Sequence, residues 1–392
     1  MLGIFKSRKS QVAIVMPSFA PYDAMATHVL ELRDTLIASG VSAAIYADEI
    51  KPGLQGEAQP FNRLRLAYPS SSRYILYQAA TGSNLVRHLI SRPEKLLIQY
   101  HNITPREQFV RWEPGIASSM AWGRRQLELL SHHTDLALAI SRYNAEDLII
   151  TGYSQIAISP PLIRSLPAIE SNRRYGGPGH SLLFVGRIAP NKAQEDLILA
   201  VALYNATFVD KVRLYLVGSP VIEKYGTYLR QLCAKLGVAD DVLFYSHLTS
   251  DDLARMYADA HVLVSSSRHE GFGFPFVEAM RTGLPIVALD SSAIPETVQD
   301  AALLTYSSDP EVLASALHMV LWQSHIRSDL IKRGYARAKT WDLERSKLAN
   351  LAALSIEIPI PGIEPEGLYY TSSQGRITSN TSQTPPKVGL RK

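Results

Sequence analysis

Short apolar runs alternating with helical-period segments constrain this chain more than any other feature, because the pattern occurs twice. Residues 12–16 are an apolar run closed by Pro17. A segment with Val29, Leu30, Leu32, Leu36 and Ile37 at helical spacing follows and stops at Gly40. Strand-like runs recur at 43–47, 74–77, 96–99 and 136–140. Alternation restarts at Leu182, with runs at 182–185, 213–217, 242–245, 262–264 and 285–289. This order predicts parallel sheets covered by helices on both faces, with ligands beyond the carboxyl ends of the strands. Between the two rounds, Pro160, Pro161, Pro167 and the stretch 173–179 read as a linker. The expected layout is a first domain over 1–175, a second over 176–340, a last helix over 341–356 and a tail over 357–392. The tail is rich in proline, glycine, serine and threonine and lacks periodicity, which predicts disorder.

A chain of 392 residues exceeds what a single core serves well. Its 46% hydrophobic and 19% charged residues exclude wholesale disorder, and a net charge of +4 gives no argument for a nucleic-acid partner. Cys233 is the single cysteine, so neither a disulfide framework nor a cysteine-rich metal site is expected, and a reducing, cytoplasmic setting fits. Residues 1–10 are too short and too basic for a signal peptide, and no run of about 18 apolar residues occurs. Lys6, Arg8 and Lys9 read as a frayed terminus before they read as a membrane contact. Arg106, Arg111, Arg124 and Arg125 form a locally basic stretch. A solvated face is the default for them, and an acceptor surface or a peripheral contact at the inner face of a membrane is the sharper alternative.

Residues 261–296, HVLVSSSRHEGFGFPFVEAMRTGLPIVALDSSAIPE, divide into strand, glycine-bearing loop, short helix, strand and turn. Pro275 suits the first helical position and Gly283 the residue just past the end. The backbone N–H groups of 272–276 would face out of a helix N-terminus, whose partial positive charge favours an anion. Gly271 and Gly273 would let a ligand approach the main chain. Glu270 and Glu278 flank that helix start, and a carboxylate accepts two hydroxyl hydrogen bonds, as a vicinal diol offers. Together these features suit a phosphorylated polyol. Glu270 and Glu278 within EGFGFPFVEAM resemble the signature of the retaining nucleotide-sugar glycosyltransferases of family four, the glycosyl transferases group 1. The specificity comes from the full set, with Pro275, Ala279, Met280, Gly283 and Pro285, since two glutamates eight positions apart are common by chance.

The resemblance covers about residues 12–350, more strongly after 180. It implies the GT-B architecture: α/β, two doubly wound Rossmann-like domains facing across a cleft, with the last helix crossing back to the first. Gly186, Arg187 and Lys192, placed directly after the 182–185 run, match the family's diphosphate clamp. Arg187 would offer a planar fork and Lys192 a compact charge. Glu270 would hold sugar hydroxyls and Glu278 ribose hydroxyls. His101, at the end of the 96–99 run, matches a histidine that reaches the transferred sugar. Gly271, Phe272, Gly273, Phe274, Gly186, Gly218 and His247 complete the expected donor contacts, and Tyr22, Asp23, Asn102 and Ser141 the acceptor side. Two departures leave identities open. Ser246-His247 stands where members often carry glycine near the base, and residues 20–24 (Ala-Pro-Tyr-Asp-Ala) stand where many carry paired glycines.

The implied reaction is transfer of a hexose-like sugar from a nucleoside diphosphate to an acceptor hydroxyl, with retention and without a required metal or further cofactor. The acceptor would be a glycan, a lipid-linked species or a small molecule, in polysaccharide or glycolipid synthesis. A nucleotide-sugar epimerase and a non-catalytic sugar-nucleotide-binding protein of the same fold stay open as alternatives. A retaining glycosidase using Glu270 and Glu278 would need the carboxyls about 5 Å apart and would leave the cationic pair idle. Neither a dinucleotide-binding Gly-x-Gly-x-x-Gly after a strand nor a P-loop is present.

Overall fold

The structure, a computed structural model, describes residues 10–21, 23–175, 179–246, 248–365, 368–371 and 376–379, the last two segments as backbone only. Tyr22 and His247 lie outside the described residues. The chain forms two compact units. The first draws on the chain up to His101, on 123–162 and on the chain from Glu344; the second on 102–122 and 163–343.

Among the described residues the first unit has one sheet of nine strands: β1 (Gln11–Phe19), β2 (Ser42–Ile50), β3 (Gln59–Pro60), β4 (Arg73–Ala79), β5 (Lys95–Tyr100), β6 (Leu136–Ala139), β7 (Gln155–Ile158) and two further strands near the chain's end. The parallel part runs β3-β2-β1-β4-β5-β6-β7. The winding therefore reverses between β1 and β4. Ile14, Val15 and Met16 of β1 are sealed from solvent, as are Leu97 and Ile98 of β5. A strand covered on both faces has no polar side to alternate with, which is why these strands read as continuous apolar runs.

The second unit repeats the plan with β8 (His180–Val185), β9 (Val212–Val217), β10 (Val242–Tyr245), β11 (Val262–Ser265), β12 (Ile286–Leu289) and β13 (Ala302–Thr305). Their order is β10-β9-β8-β11-β12-β13, parallel throughout. Numbered within the unit this is 3-2-1-4-5-6, the doubly wound Rossmann order, with its reversal between β8 and β11. Leu214 and Leu216 of β9 pack with Val201 and Tyr204 of the helix Gln194–Thr207 and Val320 of the helix Pro310–Trp322 in one apolar cluster.

Three expectations about layout need correction. The boundary is not near 175. Residues 163–175 belong to the second unit, where the Arg173 guanidinium donates to the carbonyls of Gly283 and Tyr257 at 2.8 Å each. The proline-rich composition of this segment signals irregular backbone, and irregular backbone can still be pinned by hydrogen bonds. Nor do residues 102–122 stay with the first unit. Phe109 and Ala117 lie in the second unit's apolar cluster, and Trp112 meets Tyr225 and Tyr228 at 4.9 Å each.

The tail is the third correction, for its described residues; 366–367, 372–375 and 380–392 lie outside them. Glu357 forms an ion pair with Lys95, and Ile358 and Ile360 are buried. Beyond them β14 (Leu368–Thr371) pairs antiparallel with β7, and β15 (Arg376–Ser379) antiparallel with β14. Tail composition hid two short runs of aromatic and β-branched residues, which suit an added edge ribbon. The last helix, Leu343–Leu354, lies from Glu344 onward in the first unit, where Asn350 accepts from Ser159 Oγ at 2.6 Å. Among the described residues no helix is long and apolar enough to cross a membrane.

Candidate functional site

The loops leaving β8 and β11 meet where the second sheet reverses. After β8 the chain turns at Gly186 (φ 151°), and after β9 at Gly218 (φ 152°). A Cβ on Gly218 would stand 1.9 Å from the Gly186 carbonyl oxygen, so the two strand-end turns interlock at a distance only glycine allows. Past Gly186 a single 3-10 turn, Pro190–Lys192, ends at left-handed Ala193, and the Lys192 ammonium reaches across to the loop after β11. There it pairs with Glu270 at 2.5 Å and meets the His269 carbonyl at 3.4 Å. Ser267 Oγ donates to the same Glu270 oxygen at 3.0 Å, and the Glu270 N–H donates to Ser292 Oγ at 2.7 Å. Burial pushes the Lys192 ammonium pKa down, Glu270 opposes this, and the nearby Arg187 charge adds to the depression. Arg187 is exposed, and among the described residues its guanidinium has no hydrogen bond or ion pair. The structure thus brings Arg187, Lys192 and Glu270 together, with the cations adjacent and one of them uncommitted.

Glu270 runs into Gly271, Phe272 and Gly273 and the helix Phe274–Arg281. Gly273 is left-handed (φ 94°), and a Cβ there would stand 2.3 Å from the Phe276 ring. Phe272 is buried against Trp341 at 4.8 Å, so of the loop residues it serves packing. Phe274 opens the helix, and Pro275 behind it leaves no N–H unpaired. Glu278 is half-buried and accepts from Tyr257 Oη at 2.6 Å. Burial raises its carboxyl to about 7, against the Tyr257 hydrogen bond and the Arg281 charge. Tyr257 was legible only as one apolar position of its helix; nothing in its spacing marks it as the partner of Glu278. A hollow of about 120 Å³ opens beside Gly218, lined among others by Glu223, Thr227, Arg230, Tyr245 and Ser246. Arg230 lies over the Phe244 ring at 4.2 Å. Sequence reasoning missed Glu223, Thr227 and Arg230 of the helix Glu223–Leu236, which carry no motif.

In the first unit His101 follows β5, and its Nε2 is 2.7 Å from Gln78 Oε1 on β4. Burial takes its pKa down to about 3, with the neighbouring His28 adding to the effect. Asn102 is left-handed (φ 72°) and nearly buried, and neither atom of its side-chain amide has a partner among the described residues. Asp23 and Ser141 have structural duties. Asp23 caps the helix Ala24–Ala38 by accepting from the Met25 N–H at 2.9 Å, and Ser141 caps Arg142–Ile150 by accepting from the Asn144 N–H at 3.2 Å. Arg124 does not lie on a free basic face: its guanidinium meets both Asp147 oxygens at 2.7 Å.

Residues 176–337 match the family described as Glycosyl transferases group 1. Over 225 residues the chain is 30% identical to a D-inositol 3-phosphate glycosyltransferase of Salinispora arenicola, covering 53% of this chain and 50% of that protein. The chain thus spans about half the length of the curated relatives it matches. Among solved structures, sucrose-phosphate synthase from Thermosynechococcus elongatus superposes with a TM-score of 0.68 at 18% identity, over 87% of this chain and 97% of that one. Anabaena Alr3699/HepE in complex with UDP-glucose does so with 0.67 at 16%, over 88% and 99%. Residues 176–337 are therefore a glycosyl transferases group 1 domain, in a chain whose two Rossmann-like units have the GT-B fold.

Proposed function

We propose that this protein is a retaining glycosyltransferase that moves a hexose-like sugar from a nucleoside diphosphate to an acceptor hydroxyl without needing a metal. The observation that carries the reading is the cationic pair at the reversal of the second sheet. Lys192 is held there at 2.5 Å from Glu270, and beside it Arg187 stands exposed, its guanidinium without a partner among the described residues. Charge builds on the leaving diphosphate as the glycosidic bond breaks, and preorganised cations and helix N–H groups act where that charge appears. A donor phosphate draws on Arg187 and Lys192. Glu270, freed from part of its bond to Lys192, accepts sugar hydroxyls, and Glu278 accepts the ribose hydroxyls. The hollow beside Gly218 and Ser246 lies on the nucleoside side of the clamp. The names of the relatives support transfer of a sugar, and the HepE complex supports a UDP-linked donor for that protein; the base, sugar and acceptor of this one follow from assay.

Thermal-shift titration with UDP, GDP, ADP and their sugar derivatives names the donor, since a ligand of the native state raises the melting temperature. Transfer assays on Arg187→Ala then test the clamp. The expected loss in kcat is roughly two orders of magnitude with a smaller loss of donor affinity. Wild-type turnover in this variant would remove the clamp. Product formed without acceptor would turn the reading to an epimerase.

A further inference from the structure

Two histidine–glutamine pairs lie side by side in the first unit. Gln78 on β4 and Gln99 on β5 are register partners, and both are fully buried. Gln99 Oε1 is 2.9 Å from His28 Nε2, as Gln78 Oε1 is 2.7 Å from His101 Nε2. The two imidazoles meet edge to face at 5.7 Å. In the His28 pair both ring nitrogens have a partner. The Leu162 N–H donates to His28 Nδ1 at 3.0 Å, so the neutral ring carries its proton on Nε2 and donates it to Gln99. Gln99 Nε2 donates on to Ser159 Oγ at 3.3 Å. The His101 pair has the same sense but open ends. His101 Nδ1 has no hydrogen-bond partner among the described residues and is not among the sealed polar atoms. The Gln78 amide nitrogen finds no acceptor there.

We propose that Gln78 is a positioning residue that holds His101 in its Nε2–H tautomer and so leaves Nδ1 as a hydrogen-bond acceptor for a hydroxyl-bearing ligand. That ligand is a hydroxyl-bearing substrate of the transfer proposed above, and the step rests on that reading. An amide oxygen cannot face a bare ring nitrogen, and a neutral imidazole carries one proton, so the acceptor at Oε1 sets the state of the atom on the other side of the ring. Burial keeps the ring neutral, and His28 is the one titratable group bearing on it among the described residues. His101 then acts as an acceptor and not as a proton carrier. Gln78 is poorly explained by stability, because a buried amide with an unpaired nitrogen is a liability that an apolar side chain of like size would remove.

Nitrogen-15 NMR of the full chain labelled at histidine reads the tautomer directly and needs no substrate. In the wild type at neutral pH, His101 should show a protonated Nε2 and a bare Nδ1. In Gln78→Met the Nε2–H loses its fixed acceptor, so the fraction of ring protonated at Nδ1 should rise above wild type, while the melting temperature changes little because the removed unpaired amide offsets the lost hydrogen bond. In Gln78→Glu the carboxylate should keep the Nε2 proton but lift the ring pKa toward neutrality, bringing a new titration into the pH profile of transfer. A wild-type ring protonated at Nδ1, or a Gln78→Met ring unchanged from wild type, overturns the proposal. With the donor in hand, Gln78→Met should lower kcat/KM about tenfold, the scale of one hydrogen bond. A shifted tautomer with unchanged kcat/KM would overturn the ligand contact. A correct tautomer in a wild type that transfers no sugar would instead count against the proposed function and leave the role of Gln78 standing.

Discussion

Lys192 and Arg187 have the same charge and opposite structural circumstances. The Lys192 and Glu270 side chains are 12% and 17% exposed, so deleting the lysine strands a carboxylate away from water. Lys192→Ala is expected to cost about 2 kcal/mol in stability, below the range for a fully buried pair. Arg187→Ala, with no guanidinium bond to lose among the described residues, should unfold in denaturant with the wild-type midpoint. Equal stability of the two variants would show that Glu270 does not depend on Lys192. Glu278 makes a second residue-level prediction, this time through pH. Its folded pKa is raised from 4.5 to about 7, so the stability it contributes is full below 4.5 and is lost as pH rises through about 7. Glu278→Gln cannot ionise and should escape that loss. Relative to the variant, the wild type should lose about 2 kcal/mol between roughly pH 5 and roughly pH 8. Urea titrations at the two pH values decide it, and parallel behaviour would mean that the carboxyl ionises as freely folded as unfolded.

Among the elements, the strand ends of β8 and β9 hold the least slack. Their glycines approach so closely that the atom a Gly218→Ala change adds would meet backbone, which cannot rotate away as a side chain could. Its φ of 152° adds conformational strain. The expected cost is about 3 kcal/mol or more, measured by chemical denaturation, with the Lys192 loop displaced. A stable Gly218→Ala protein would show that the turn can open. The main strands and the loop from Glu270 to Gly273 were legible in the chain, because strands buried on both faces are continuous apolar runs and a glycine-rich helix start has few alternatives. Legibility ended where partners come from far away. No local signal joins Tyr257 to Glu278 or Gln78 to His101, and the cap at Asp23 looks in sequence like any polar residue in a loop, whereas Ser141 ahead of its helix reads as the cap it is. The edge ribbon β14–β15 was hidden because eight residues of strand propensity lie in a stretch whose bulk composition is that of a linker.

On the scale of the whole molecule, the chain leaves the first unit after Leu162 and re-enters it through the helix Leu343–Leu354, and both connections are tied into the first unit's core. Leu162 donates to buried His28, while Asn350 accepts from Ser159 and donates to the Pro160 carbonyl at 2.8 Å. The residues after that helix continue the attachment, since the chain turns back with Glu357 against Lys95 and with Ile358 and Ile360 at 0% and 5% exposure. Ending the chain at residue 356 would therefore remove two buried isoleucines as well as an ion pair on the surface. Each isoleucine is worth about 1.5–3 kcal/mol in buried apolar surface, whereas the exposed Lys95 makes the pair a minor contribution. Truncation after 356 should lower stability by about 3 kcal/mol or more, while truncation after 365 keeps both isoleucines and should lose much less. Denaturant midpoints of the two truncated proteins against the full chain make the comparison. Equal midpoints for all three would mean that Ile358 and Ile360 contribute nothing to holding the returning chain.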